Sequence, residues 1–265
     1  MLKKLMKYEW KAQRNSYLAT YLIVGAFAVI ATVTKQLNRS YGSGILEVVS
    51  GITFAAFIAG LGALAAVTTV INIIQFRNNL LKDEGYLMNT LPVRPIQLIG
   101  SKLAANMIWL VTHLVFGYLL LSAYCADLFW LKHLFLDSIK VDFPSVNLPL
   151  VVTLAVLYLL TTYVMFNIQI YFCLTTGYRA ASNKDATALI TYIATYVVLQ
   201  VLSLAELFLY YCARYHSLQK MLTGSTMVLG DVYAIVGINY LSLLIISAIL
   251  LVVANGNMTR HLNLE

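Results

Sequence analysis

Charge is scarce in this chain: 11% of the residues are Asp, Glu, Lys or Arg and 60% are hydrophobic, where an ordinary soluble domain is about a quarter charged. That balance excludes a water-soluble fold. The three cysteines, Cys125, Cys173 and Cys212, form no C-x-x-C and no Cys/His spacing, so neither a redox pair nor a zinc site is indicated. They read as small apolar packing residues, and the spacing leaves open whether Cys125 and Cys212 pair. His113, His133, His216 and His261 are scattered and stand at no metal-ligand spacing with a carboxylate. The chain lacks G-x-x-x-x-G-K-[ST], H-E-x-x-H and G-x-S-x-G. The expectation is therefore a protein that is not an enzyme by itself, with no metal and no cofactor of its own. The net charge of +7 does not point to nucleic acid, because the basic residues are spread over loops rather than gathered in a stripe with aromatics. Anionic lipid is the simpler partner.

What the chain does have is long apolar runs. A bilayer core of about 30 Å takes about 20 apolar residues as helix, and a β-barrel would show short alternating strands instead. The pattern predicts an all-α integral membrane protein with six spans, at about 17–33, 45–75, 103–126, 148–176, 186–211 and 232–254. Residues 1–16 place Leu2, Leu5, Met6 and Trp10 on one helical side and Lys3, Lys4, Lys7, Lys11 and Arg14 largely on the other. This is the pattern of an amphipathic helix lying in the membrane interface. Ala26-Phe27-Ala28 resembles a signal-peptide cleavage site, but the basic stretch before it is amphipathic and more spans follow, so the reading is an uncleaved chain. A six-helix domain over 17–254 and a polar tail over 255–265 complete the expected organisation. The loop after the third span, with Phe129, Trp130, Phe135 and Phe143 among aspartates, is expected to rest on the interface.

With the N-terminus inside, twelve of the eighteen Lys and Arg fall in inner segments. The positive-inside bias therefore places both termini in the cytoplasm, and the longest inner loop is 75–102. The second span would be about 45 Å of helix, longer than the bilayer core, so it tilts or projects.

Among the span residues, Thr53, Phe57, Thr68 and Asn72 on the second span and Thr191, Tyr192, Thr195, Tyr196 and Gln200 on the fifth are candidates for a substrate path. Thr187, Thr191 and Thr195 recur every fourth residue on one face. Ordinary interhelical hydrogen bonding, about 0.6 kcal/mol per contact, is the plainer account of each. Glu206 is the one acidic residue set well inside an apolar run, at about 30 Å from the inner side. It reads as an outer-interface carboxylate, with receipt of a basic substrate as the functional alternative.

The inner loop alternates Phe76, Leu80 and Leu81 with Arg77, Asn78, Asn79, Lys82, Asp83 and Glu84. Gly85 is suited to end that helical segment, Tyr86, Leu87 and Leu91 offer apolar contacts, and Pro92 and Pro95 stiffen the return, Pro95 fitting the first turn of the third helix. The run F-R-N-N-L-L-K-D-E-G-Y-L-M-N-T-L-P-V followed by S-K-L resembles the inner loop of bacterial ABC-2-type transporter permeases. The basic N-terminal helix, six spans and inner termini are similar too. The resemblance implies an exporter subunit in the cytoplasmic membrane, working with a second permease chain, identical or not, and two separate ATPase subunits that carry ATP and Mg. In that family the N-terminal helix and this loop meet the ATPase, which here implies Trp10, Phe76, Arg77, Leu80, Lys82, Asp83, Glu84, Gly85, Tyr86, Leu91 and Pro92. It also implies that the second and fifth spans line the route, that 212–231 forms re-entrant outer helices, and that the cargo is a lipid, drug or peptide. The apolar lining favours amphipathic peptides. Two other classes stand beside this one: a membrane-embedded immunity or scaffold protein that binds a peptide without moving it, and an ion-coupled carrier.

Overall fold

The computed structural model describes residues 2–82, 85, 93–129, 147–213 and 229–260. Among these there is no strand. The helices are α1 (Leu2–Tyr41), α2 (Gly44–Phe76), α3 (Pro95–Cys125), α4 (Leu148–Gly177), α5 (Lys184–Ala213) and α6 (Leu229–Arg260), and a π-helical turn, Arg77–Leu81, continues α2. Six helices are long and apolar enough to cross a membrane.

The helix at the start of the chain differs from expectation. No break separates a surface helix from a first span; α1 is one helix of 40 residues, about 60 Å long. No proline or glycine stands between Leu2 and Val24 to interrupt it. The polar loop expected over 34–44 is also mostly helix. Its polar residues find tertiary partners: Thr34 Oγ1 meets Thr53 Oγ1 at 2.8 Å, and Lys35 Nζ donates to the Tyr124 carbonyl at 2.6 Å. The reversal into α2 is confined to Gly42 and Ser43. Gly42 takes φ +58°, a left-handed conformation that glycine adopts without Cβ strain, and its N–H reaches the Asn38 carbonyl at 2.9 Å. Ser43 Oγ then caps α2 by accepting from the Leu46 N–H at 3.3 Å. As expected, α3 begins at Pro95.

The chain forms two compact units, Met1–Gln75 with Gly100–Ser145, and Phe76–Ile99 with Val146–Glu265. In the first, Val24, Ala28, Ala31 and Phe57 make a buried core, with Leu61, Phe116, Leu120 and Tyr124 packed against it. The α1 residues there are mostly small, which lets helices approach closely where no water-driven force holds them.

In the second unit α4 is the central helix and packs against both α5 and α6. Asn147 caps it, its side chain accepting from the Leu150 N–H at 3.4 Å, with Pro149 in the first turn. The half of α4 nearer its C-terminus is buried almost all round, including Met165, Asn167, Ile168, Gln169, Ile170 and Tyr171. The N-terminal half is open: Leu150, Val152, Leu154, Val156 and Leu157 are all exposed. The tail expected from 255 is helical to Arg260, because Ala254, Asn257 and Met258 are buried and Asn257 is bonded to α4. Trp130, Phe135, Phe143, most of 212–231 and the last five residues lie outside the described part of the chain.

Candidate functional site

A polar seam runs along the first unit. On α1, Glu9, Gln13, Tyr17 and Tyr21 recur every fourth residue and so share one face. Facing them on α3 are Lys102, Asn106, Trp109 and His113. Lys102 Nζ donates to Glu9 Oε1 at 2.8 Å, and both side chains are about 5% exposed or less. One turn along α1, Gln13 Nε2 donates to Gln75 Oε1 at 2.7 Å and to Asn106 Oδ1 at 3.3 Å. Tyr17 packs on Trp109 and on His113, with ring centroids 4.4 and 4.9 Å apart.

His113 is bonded through both ring nitrogens. Tyr21 Oη lies 2.5 Å from Nδ1 and Thr68 Oγ1 lies 3.0 Å from Nε2. The Thr68 hydroxyl gives its own hydrogen to the Leu64 carbonyl at 2.7 Å, so Oγ1 accepts from the Nε2–H and Nδ1 accepts from Tyr21. Lys102 and Tyr124 stand 22 residues apart on α3, about 33 Å, close to the thickness of a hydrocarbon core. His113 is midway between them. Lys35 marks the far edge, its ammonium 4.0 Å above the Tyr124 ring.

Sequence reasoning missed this seam. The sequence pattern sets the apolar side of this stretch, Trp10 included, toward the membrane; Trp10 is 41% exposed and stacks on Trp109 at 5.7 Å, and the residues buried beside it are Glu9 and Gln13. Lys102 passes in a linear reading as part of a basic loop, and Glu9 as one carboxylate among the lysines of the N-terminal helix. The available signal was the four-residue recurrence of Glu9, Gln13, Tyr17 and Tyr21.

The second unit carries its own cluster where the loop after α2 begins. Phe76 is fully buried and stacks on Tyr171, centroids 4.1 Å apart and planes 12° from parallel. Arg77 Nη2 pairs with Asp185 Oδ2 at 2.7 Å, Arg77 Nε donates to Tyr178 Oη at 2.9 Å, and Tyr178 Oη donates to Asp185 Oδ1 at 3.1 Å. The result is a closed triangle of three side chains. Burial pushes the Tyr178 phenol above its ordinary value, with the Arg77 contact pulling it back, so it remains a proton donor at neutral pH. Arg77 and Asp185 are 30% and 57% exposed, and an ion pair that wet contributes little on its own. The phenol between them fixes its geometry. Gly177 allows α5 to start so close: a Cβ there would lie 2.5 Å from Ala188 N and Cβ. Beside it, Asn257 bridges Thr176 Oγ1 at 3.0 Å and Arg179 Nη1 at 3.3 Å.

The remaining predicted residues are dispersed. Leu80 is fully buried, Gly85 is buried, and Lys82 is exposed; Asp83, Glu84, Tyr86, Leu91 and Pro92 lie outside the described residues. In the first unit Thr53 bonds Thr34, Phe57 is core, Thr68 holds His113 and Asn72 is buried. In the second, Thr191 and Thr195 donate to carbonyls one turn back on α5. Tyr192 is half-buried, and Tyr196 and Gln200 are exposed. Glu206 is half-buried and accepts from Ser242 Oγ at 3.0 Å. All three cysteines are free. Among the described residues no three His, Cys, Asp or Glu side chains are placed to hold a metal.

No family model, no curated protein and no solved structure matches the chain. The fold by itself defines a class, a helical multi-pass membrane protein with six candidate spans.

Proposed function

We propose that the chain is the membrane-spanning subunit of an ATP-driven exporter of amphipathic cargo, seated in the cytoplasmic membrane with both termini inside. Two separate ATP-binding subunits carry the nucleotide and its Mg, and a second permease chain completes the pathway. The observation that carries the reading is the anchorage of the loop after α2. Phe76 and Arg77, at the junction of α2 with the π-turn, are tied by a ring stack and a three-way hydrogen-bonded triangle to the end of α4 and the start of α5. A force applied to the segment beyond Lys82 reaches two spans at once. A π-turn at that junction, with Leu80 and Leu81 buried, gives the lever a fixed root; π-turns of this kind often mark functional positions.

The test is copurification and coupling. An ATP-binding cassette protein is expected to copurify with the chain from its native membranes, and its ATPase rate in the complex is expected to rise with amphipathic cationic peptide. Arg77→Ala should abolish that rise while leaving assembly intact. Absence of any ATPase from the purified complex, with cargo movement into inverted vesicles that needs no ATP, overturns the reading.

A further inference from the structure

We propose that Glu206 and the hydrogen-bonded side chains joined to it form a binding site for the cationic group of an amphiphile. This names the cargo class for the exporter reading and rests on that reading for its transport role, but the site itself is argued from the second unit alone.

Glu206 on α5 accepts from Ser242 on α6 at 3.0 Å. The Ser242 hydroxyl also approaches the Asn239 carbonyl at 2.9 Å, and Asn239 Oδ1 accepts from Tyr158 of α4 at 2.6 Å. A turn away, Thr161 Oγ1 lies 3.4 Å from Tyr240 Oη. Glu206 of α5 is thus joined to α6 at Ser242, and one turn back on α6 the Asn239 side chain is joined to Tyr158 of α4.

The site's depth follows from residues whose partners fix the opposite end. Ser242 is fifteen residues from Asn257, and Tyr158 is eighteen from Thr176, about 22 Å and 27 Å. Against a hydrocarbon core of about 30 Å, a carboxylate that reaches Ser242 stands inside the far leaflet rather than on its surface. Arg77, Arg179, Lys184 and Arg260 lie at the other end of the three helices, at the α4–α5 junction and the end of α6. A charge within a span is costly and is usually kept for a purpose.

Access is built into the packing. The buried half of α4 is the half away from Glu206; at the level of Tyr158 the flanking Leu157 and Leu159 are 45% and 44% exposed, and beside Glu206 Leu207 and Phe208 are 59% and 64% exposed. A lipophilic cation arriving among these side chains meets a carboxylate and the rings of Tyr158 and Tyr240, which attract cations through their faces. Among the described residues an anionic or neutral amphiphile meets no basic partner there.

The experiment uses the full-length protein purified into lipid nanodiscs, without any ATPase, so that its outcome is independent of the exporter reading. Rhodamine 6G binding is followed by fluorescence anisotropy, with an uncharged dye of similar size as control. Glu206→Gln is expected to weaken rhodamine 6G binding at least tenfold and to leave the uncharged dye unchanged, while Glu206→Asp retains most of the cation affinity and shows that the fold persists. A cationic amphipathic peptide should displace the dye, and its succinylated form should not. Equal cation affinity in wild type and Glu206→Gln, or equal loss of both dyes in Glu206→Gln and Glu206→Asp, overturns the proposal.

Discussion

At the residue scale the most consequential contact is the pair Glu9 and Lys102, because both members are almost completely withdrawn from solvent. Removing one leaves the other as an uncompensated buried charge, which in comparable sites costs about 3–5 kcal/mol. Glu9→Ala and Lys102→Ala are each expected to destabilise the purified protein on that scale in thermal unfolding. The double substitution should cost distinctly less than the two losses added together. The His113 contacts belong to a smaller class, since hydrogen bonds between membrane helices contribute about 0.6 kcal/mol each. Their interest is positional: a ring bonded by Tyr21 and Thr68 halfway along α3 joins three helices. Of these side chains, Thr68 alone stood out in the linear sequence. Glu9 lies among lysines and His113 among apolar residues, and nothing local tells which polar residue faces a neighbouring helix.

At the element scale, helix identity was legible and helix ends were not. The apolar runs located all six spans, since twenty apolar residues are a strong signal. The ends moved because polar residues were read as loop when partners on another helix allowed them to stay helical, as Thr34 and Lys35 do in α1 and Asn257 does in α6. The junction of α4 and α5 turns on one glycine. Gly177→Ala would drive a Cβ into the backbone of Ala188 at 2.5–2.6 Å, and backbone cannot yield as a flexible side-chain tip does. A loss of about 3 kcal/mol is expected, read as a lower unfolding temperature with faster hydrogen exchange in the first turns of α5. Gly62→Ala on α2, where nothing lies within 4 Å, should change stability by less than about 1 kcal/mol. A similar loss in both variants would contradict the close approach.

At the scale of the whole molecule, the arrangement of charge predicts sidedness. Cys125 ends α3 and Cys212 lies in the last turn of α5, whereas Cys173 is buried within α4. With the N-terminus cytoplasmic, a membrane-impermeant maleimide applied to intact cells should label Cys212 and, more slowly, the half-buried Cys125, and should spare Cys173. Labelling that appears only after the membrane is opened reverses the orientation. Composition and apolar run length alone determined that this chain is helical and carries six helices long and apolar enough to cross a membrane, because a bilayer accepts few other solutions for such a sequence. Tertiary structure alone decided which polar residues meet: Glu9 with Lys102, His113 with Tyr21 and Thr68, Arg77 with Tyr178 and Asp185, Glu206 with Ser242. The physical reason is that hydropathy measures how readily a segment leaves water, whereas the partner of a buried polar group depends on helix rotation and register. Those are fixed by side chains distant in the sequence.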